Sequence, residues 1–114
     1  EKLGAIELKP KRMFYDYEAK YNPKAKTEHI IPVNISKKNY DKVTSIALKA
    51  HKLLKCRGVT RSDFRFNRNK FYLLETNTQP GMTALSLVPE IAKYRNISFA
   101  QLINKILLDA SINK

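Results

Sequence analysis

Val59-Thr-Arg-Ser-Asp-Phe-Arg-Phe66, then Asn67-Arg-Asn-Lys70, then Phe71-Tyr-Leu-Leu-Glu-Thr-Asn77 is the stretch that decides the fold. Both flanks are rich in aromatic and apolar strand-forming residues, and the polar residues between them form a turn cluster, so the stretch predicts a β-hairpin. Side chains along a strand point alternately to opposite faces. Arg61, Asp63 and Arg65 therefore share one face, and Ser62, Phe64 and Phe66 the other. In the second strand Phe71, Leu73, Glu75 and Asn77 share a face. If Arg65 or Asn67 faces Phe71, then Arg61 and Asp63 lie on the side of Glu75 and Asn77, and two carboxylates and a carboxamide converge. An all-oxygen cluster of this kind suits Mg²⁺, which takes one or two carboxylates together with substrate phosphates, and a neighbouring Arg suits an anion. The same pattern fits a hairpin whose polar face meets solvent, with Arg61 and Asp63 paired across it. Glu75 bears on the choice, because Phe71-Tyr-Leu-Leu74 before it reads as a buried central strand, where a carboxylate is costly without a cation.

Downstream, Pro80-Gly81 breaks the second strand into a loop, and Ser86 can cap a short helix through about Tyr94, with Pro89 in the first turn, where a proline costs least. Ser98 and Gln101 form a capping box for a last helix whose apolar face is Phe99, Leu102, Ile103, Ile106, Leu107 and Ala110. Upstream, Gly58 ends a helix that Ser36 caps and that runs to about Cys56, with Tyr40, Val43, Ala47, Ala50 and Leu54 recurring at spacings of three and four. Its lysines read as a solvated face. His51 reads as an exposed helix residue, since no second His or Cys stands within a turn of it. From Met13 to Pro32 neither periodicity holds, and Phe14, Tyr15, Tyr17 and Tyr21 lie among lysines, which reads as a long lid or binding loop with aromatic anchors. Gly4 to Leu8 reads as a short strand stopped by Pro10, with no visible partner. Helices and a hairpin segregated in this way predict an α+β fold.

Composition narrows the classes. A chain of 114 residues, 43% hydrophobic and 28% charged, suits one folded domain and excludes a multi-domain enzyme. The lone Cys56 excludes a disulfide scaffold and a cysteine-rich metal cage, and fits a reducing compartment. No stretch approaches the roughly 20 apolar residues of a membrane span. The start, Glu1-Lys-Leu-Gly4, has neither an initiator Met nor a signal-peptide core and reads as a cut. A net charge of +12 attracts phosphates, whether on a nucleotide, a nucleic acid or a membrane.

Four pieces in order then carry a resemblance that spans essentially the whole chain. They are Phe14-Tyr-Asp-Tyr-Glu-Ala-Lys-Tyr21, Arg61-Ser-Asp63, Glu75-Thr-Asn-Thr-Gln-Pro-Gly-Met-Thr83, and Ser86-Leu-Val-Pro89. The chain closely resembles the C-terminal part of bacterial D-alanine–D-alanine ligases, of the ATP-grasp superfamily. The resemblance implies a C-terminal ATP-grasp subdomain with a mostly antiparallel sheet and flanking helices, incomplete relative to the full fold. It makes residues 1–114 a fragment with a lid-type loop at about 13–32, lacking the N-terminal and central domains. It also implies a cytoplasmic bacterial enzyme, a homodimer at full length, serving peptidoglycan precursor synthesis. The implied reaction uses ATP and joins two D-alanines through an acyl phosphate, and the fragment alone is expected to be inactive.

Site residues carry over position by position. By resemblance Asp63, Glu75 and Asn77 ligate two Mg²⁺ ions, with Mn²⁺ able to stand in. Lys20 binds phosphate, while Phe14 and Leu74 flank the adenine, although the bare pattern makes both ordinary core. Arg61 and the Gly81 N–H stabilise the oxyanion, and Ser86 and Leu87 receive the second D-alanine's carboxylate at a helix start. Tyr21 marks ligases that make the dipeptide, as opposed to a D-alanyl-D-lactate ester. Two alternatives without catalysis stand beside this reading. One is a basic nucleic-acid-binding module, set against by the spread of positive charge and the absence of a nucleic-acid motif. The other is a self-associating module with exposed apolar faces. The leading reading expects neither nucleic acid nor membrane as a partner.

Overall fold

Ser36 opens the first helix as its sequence requires. In the computed structural model, which describes residues 1–9 and 27–112, the Ser36 hydroxyl accepts the Asn39 N–H at 3.1 Å and α1 spans Lys37–Leu53. That hydrogen bond satisfies one of the N–H groups a helix start leaves without a partner. The helix stops before the expected Cys56. Lys55 takes a left-handed φ of 55°, its N–H bonds to the Lys52 carbonyl, and the Cys56 N–H reaches back to His51, so the last carbonyls are closed without a glycine. Gly58, at φ 64°, shapes the exit instead, and its N–H donates to Asp109 Oδ2 at 2.6 Å.

The two C-terminal helices follow the same logic. Helix α2 spans Leu87–Tyr94 and ends with Asn96 at φ 61°, where Asn96 N–H bonds to Lys93 and Ile97 N–H to Ala92. Helix α3 spans Phe99–Asp109, and the capping box is present in full: Ser98 Oγ accepts Gln101 N–H at 3.1 Å and Gln101 Oε1 accepts Ser98 N–H at 2.8 Å. Val88 and Ala92 of α2 meet Leu102 of α3 in the core, with Leu3, Val59, Met82, Ile97 and Ile106 packed around them. Val43 and Thr44 are the buried residues of α1. Of the expected apolar face of α3 only Leu102 is buried, while Phe99 and Leu107 are exposed.

The strands form two separate antiparallel pairs. Strand β1 (Glu7–Lys9) pairs with β2 (Glu28–Ile30), Leu8 facing His29, so the first strand has a partner after all. The expected loop at about 13–32 is therefore strand at its far end, and its residues up to Lys26 lie outside the described residues. Strand β3 (Arg61–Asn67) pairs with β4 (Lys70–Asn77) in the predicted hairpin. Its turn is tighter than the four-residue cluster suggested. Arg68 and Asn69, at φ 50° and 61°, make a two-residue turn whose twist matches that of the flanking strands. Antiparallel sheets with flanking helices are thus the α+β architecture expected, divided into two sheets. Among the described residues no helix is long and apolar enough to cross a membrane.

Candidate active site

The polar cluster forms at the base of the hairpin, by a route the alternation pattern does not contain. Next to the turn, Asn67 faces Lys70, Phe66 faces Phe71, Arg65 faces Tyr72 and Phe64 faces Leu73. Arg65 and Asn67 therefore do not face Phe71, and at this end the expected register fails. Between Phe64 and Asp63 the register shifts by one, because β4 holds Leu74 as an extra residue. Beyond it Asp63 faces Glu75, Ser62 faces Thr76 and Arg61 faces Asn77. Phe71 and Leu73 accordingly join the face of Phe64 and Phe66, and only Glu75 and Asn77 join Arg61 and Asp63. Ring contacts agree, with Phe71 centred 4.5 Å from Phe66 and 6.1 Å from Phe64.

Within the cluster, Arg61 grips Asp63 at both oxygens, Nε to Oδ1 at 2.7 Å and Nη2 to Oδ2 at 3.0 Å. Its Nη2 also lies 3.8 Å from Glu75 Oε1. Asn77 Oδ1 accepts the Gln79 N–H at 2.9 Å and so shapes the exit from β4. Glu75 is not on a buried central strand. Its side chain is 60% exposed, and Tyr72, Leu73 and Leu74 are exposed as well, since a two-stranded ribbon has no neighbouring strands to cover it. The argument that burial forces a cation onto Glu75 therefore falls. The donor set itself, two carboxylates and a carboxamide on facing positions, fits a hard divalent cation that keeps waters and shares phosphate oxygens. Among the described residues no group of three His, Cys, Asp or Glu could hold a metal, so such an ion would depend on Asn77 and on substrate oxygens.

The loop after β4 brings Gly81 against Ser86. A Cβ on Gly81 would lie 2.8 Å from Ser86 Oγ, so the position takes glycine because the chain approaches the hydroxyl closely. Ser86 stands at the helix N-cap without capping through its side chain. Pro89, the third residue on, has no N–H, which removes one of the two donors an N-cap oxygen ordinarily accepts from. The hydroxyl turns instead to Thr83, accepting its N–H at 2.9 Å and meeting its Oγ1 at 2.8 Å. If Thr83 donates at both contacts, the Ser86 proton is left to donate elsewhere. Ser86 and Leu87 are both buried at the edge of the core.

Leu74 is 62% exposed at the bulge, and Phe14, Lys20 and Tyr21 lie outside the described residues. Thr83 was not singled out by sequence, though a Thr three residues before a Ser is a common local hydrogen-bonding pair. Two histidine contacts were also missed. His51 Nδ1 meets Thr60 Oγ1 at 2.9 Å, so it is not a free helix residue, and His29 Nδ1 meets Glu90 Oε1 at 2.7 Å, tying β2 to the first turn of α2.

Residues 1–108 match the family model described as D-ala D-ala ligase C-terminus. The chain belongs to the D-alanine–D-alanine ligase family. A D-alanine–D-alanine ligase of Pelagibacter ubique is 69% identical over 112 residues, which are 98% of this chain and 37% of that protein. One from Xanthobacter autotrophicus is 45% identical over 117 residues, 98% of this chain and 38% of its own length. The crystal structure of the Bacillus anthracis D-alanine–D-alanine ligase complexed with ATP is similar with a TM-score of 0.71 and 25% identity, over 91% of this chain and 32% of that one. A second crystal structure of the Bacillus anthracis ligase gives 0.70 and 31% identity, over 91% and 33%. The chain thus spans about 37% of the length of the curated relatives it matches. Family membership does not favour the nucleic-acid or self-association readings, because the matched family is one of ligases over nearly the whole chain.

Proposed function

We propose that this chain is the part of a D-alanine–D-alanine ligase that holds the divalent ions, stabilises the reacting acyl group and receives the second D-alanine. The observation that carries the reading is the pairing of Asp63 with Glu75 and of Arg61 with Asn77, which gathers two carboxylates, a carboxamide and a guanidinium at one end of a hairpin. Asp63, Glu75 and Asn77 would hold Mg²⁺ or Mn²⁺, two ions in all. Bound there, the ions would neutralise the triphosphate and the charge that spreads over the transferred phosphoryl oxygens. In the reaction the carboxylate of one D-alanine takes the γ-phosphoryl group of ATP. The amine of a second D-alanine then attacks the acyl carbon, the C–N bond forms, and phosphate leaves with the C–O electrons.

This chain's own groups act on the acyl and acceptor ends. Arg61 and the Gly81 N–H donate to the oxyanion of the tetrahedral intermediate. The Ser86 hydroxyl, already accepting from Thr83, donates its proton to the acceptor carboxylate, and the Leu87 N–H does so at the start of α2, where anions are favoured. Lys20, Phe14 and Leu74 belong to the nucleotide side, and the segment at about 13–32, with Tyr21, to the lid that keeps water from the acyl phosphate and selects the dipeptide. The remaining binding groups come from the missing N-terminal and central domains, in a full-length homodimer of the bacterial cytoplasm that supplies peptidoglycan synthesis.

The test joins this chain to the upstream portion of the Pelagibacter ubique relative, in place of that protein's own matching segment. D-alanine-dependent phosphate release from Mg-ATP is expected, together with D-alanyl-D-alanine as product. Glu75→Gln is expected to reduce it by about a hundredfold or more, the size of effect typical of losing one strong transition-state electrostatic contact. A chimera that folds and binds Mg-ATP but releases no phosphate, or a Glu75→Gln variant at full rate, would overturn the reading.

A further inference from the structure

We infer that Arg61 is a latch on the cation site: it competes with the divalent ion for the Asp63 carboxylate, so that entry of the ion and release of the guanidinium toward the reacting acyl group are one coupled event. The inference rests on the metal-site reading above and adds to it what regulates that site. In that reading Asp63 serves the ion and Arg61 the oxyanion, yet the two side chains, two positions apart on β3, grip each other. Nε donates to Oδ1 at 2.7 Å and Nη2 to Oδ2 at 3.0 Å. This is the two-bond fork that makes arginine–carboxylate pairs strong as well as directional.

The fork engages both Asp63 oxygens from the side on which a chelating cation would approach them, and a guanidinium there repels a second positive charge. Water screens this repulsion little, because the Arg61 side chain is 15% exposed, against 33% for Asp63 and 60% for Glu75. Nη2 also lies 3.8 Å from Glu75 Oε1, so one guanidinium is counter-charge to both carboxylates that the ion needs. A Mg²⁺ ion carries twice that charge and takes its oxygens at about 2.0–2.1 Å, closer than any N–H donor comes. Of the five N–H donors of Arg61, only one edge pairs Nε with Nη2, and Asp63 holds it. Once the ion takes Asp63, that edge passes to the oxygens of the acyl intermediate. Coupling of this kind is reciprocal: the factor by which Arg61 weakens ion binding is the factor by which the ion loosens Arg61 from Asp63. Stabilisation of the oxyanion by Arg61 is thereby conditional on the metal.

The experiment uses the same chimera and reads binding of Mn²⁺ by loss of the free-ion electron paramagnetic resonance signal. No nucleotide is added, so that Arg61 has no phosphate to turn to, and circular dichroism confirms folding. Arg61→Gln removes both the charge and the fork. It is expected to bind Mn²⁺ about tenfold or more tightly than the parent, the size of one hydrogen-bonded contact to a charged group. Arg61→Ala takes the place of a glutamine variant that does not fold and carries the same expectation. Arg61→Lys keeps the charge but cannot form the fork, and is expected to gain about threefold. Binding in Arg61→Gln that is no tighter than in the parent overturns the inference, and weaker binding would show that Arg61 orients Asp63 for the ion. A lysine variant that binds as the parent does, beside a glutamine variant that gains, overturns it as well, since charge repulsion alone then accounts for the effect. Adding Glu75→Gln to Arg61→Gln separates the two levels. If the double variant keeps the whole gain, the ion is held elsewhere and the metal-site reading fails with the inference. If Glu75→Gln weakens binding while Arg61→Gln alone gains nothing, only the latch fails.

Discussion

Gly81→Ala is the substitution whose consequence follows most directly from geometry. The new Cβ would come 2.8 Å from Ser86 Oγ and 3.6 Å from Ser86 Cβ. Only the first distance is a clash, and the oxygen that clashes is held at 2.9 Å by the Thr83 N–H and at 2.8 Å from Thr83 Oγ1. Either the loop shifts, at the ~1–3 kcal/mol typical of overpacking, or the hydroxyl rotates and gives up two hydrogen bonds worth ~0.5–1.5 kcal/mol each. Both routes lead to about the same loss, and they are alternatives, not a sum. Ser86→Ala removes the clashing oxygen but leaves the Thr83 N–H without its acceptor, at ~1–3 kcal/mol. In the double variant the remaining neighbour is a Cβ at ordinary contact distance, so the pair should cost about what Ser86→Ala costs alone. The assay is urea unfolding of the four chimeras, read as midpoint shifts at a constant m-value. A favourable coupling of ~1 kcal/mol or more is expected, whereas additivity within ~0.3–0.5 kcal/mol would show that Gly81 is not there for the sake of the hydroxyl.

Two further substitutions test the frame that carries the site. Leu102, 4% exposed at the α2–α3 contact, should lose ~2–5 kcal/mol on truncation to alanine. Leu107 on the same helix, 66% exposed, should lose less than ~1 kcal/mol, and equal losses measured by urea unfolding would refute the placement of the core. Asp109→Ala removes the acceptor of the Gly58 N–H and should cost ~1–3 kcal/mol, despite relieving a carboxylate at a helix C-terminus, where negative charge is disfavoured. A neutral or stabilising result would mean that the helix dipole outweighs the tie.

What sequence discloses and what it conceals divide by the range of the interaction involved. The Ser98–Gln101 capping box and the Ser36 cap are closed by neighbours three residues away, and both are found where the pattern put them. The end of α1 was misplaced because Lys55 adopts a left-handed backbone that a reader reserves for glycine, with Gly58 close by as a decoy. Strand β2 was hidden because its three residues carry Glu28 and His29 and owe their extension to a partner some twenty positions away in sequence. Asp63 and Glu75 were put on one face by an argument whose register holds only at the base of the hairpin. Two consecutive leucines, Leu73-Leu74, were the available sign of the bulge, since in a half-covered strand one of a pair of adjacent apolar residues must break the alternation.

The two halves of the proposed site differ in how firmly the fold owns them, and this decides what substitutions at each can reveal. Ser86 and Leu87 are buried, and Leu87 belongs to the helix whose Val88 and Ala92 make the core, so a change there disturbs stability and acceptor binding together. Glu75 is mostly exposed, and no proposed metal ligand is among the buried core residues. Removing the Glu75 carboxylate costs the fold little, as exposed charge pairs contribute at most ~1 kcal/mol. It also changes the charge balance around Arg61, which grips Asp63 and lies near Glu75. Substitutions at Glu75 therefore report on cation and phosphate chemistry with little contribution from unfolding. Those at Ser86 need the coupling measurement with Gly81 before a change in acceptor affinity can be assigned to the hydroxyl itself.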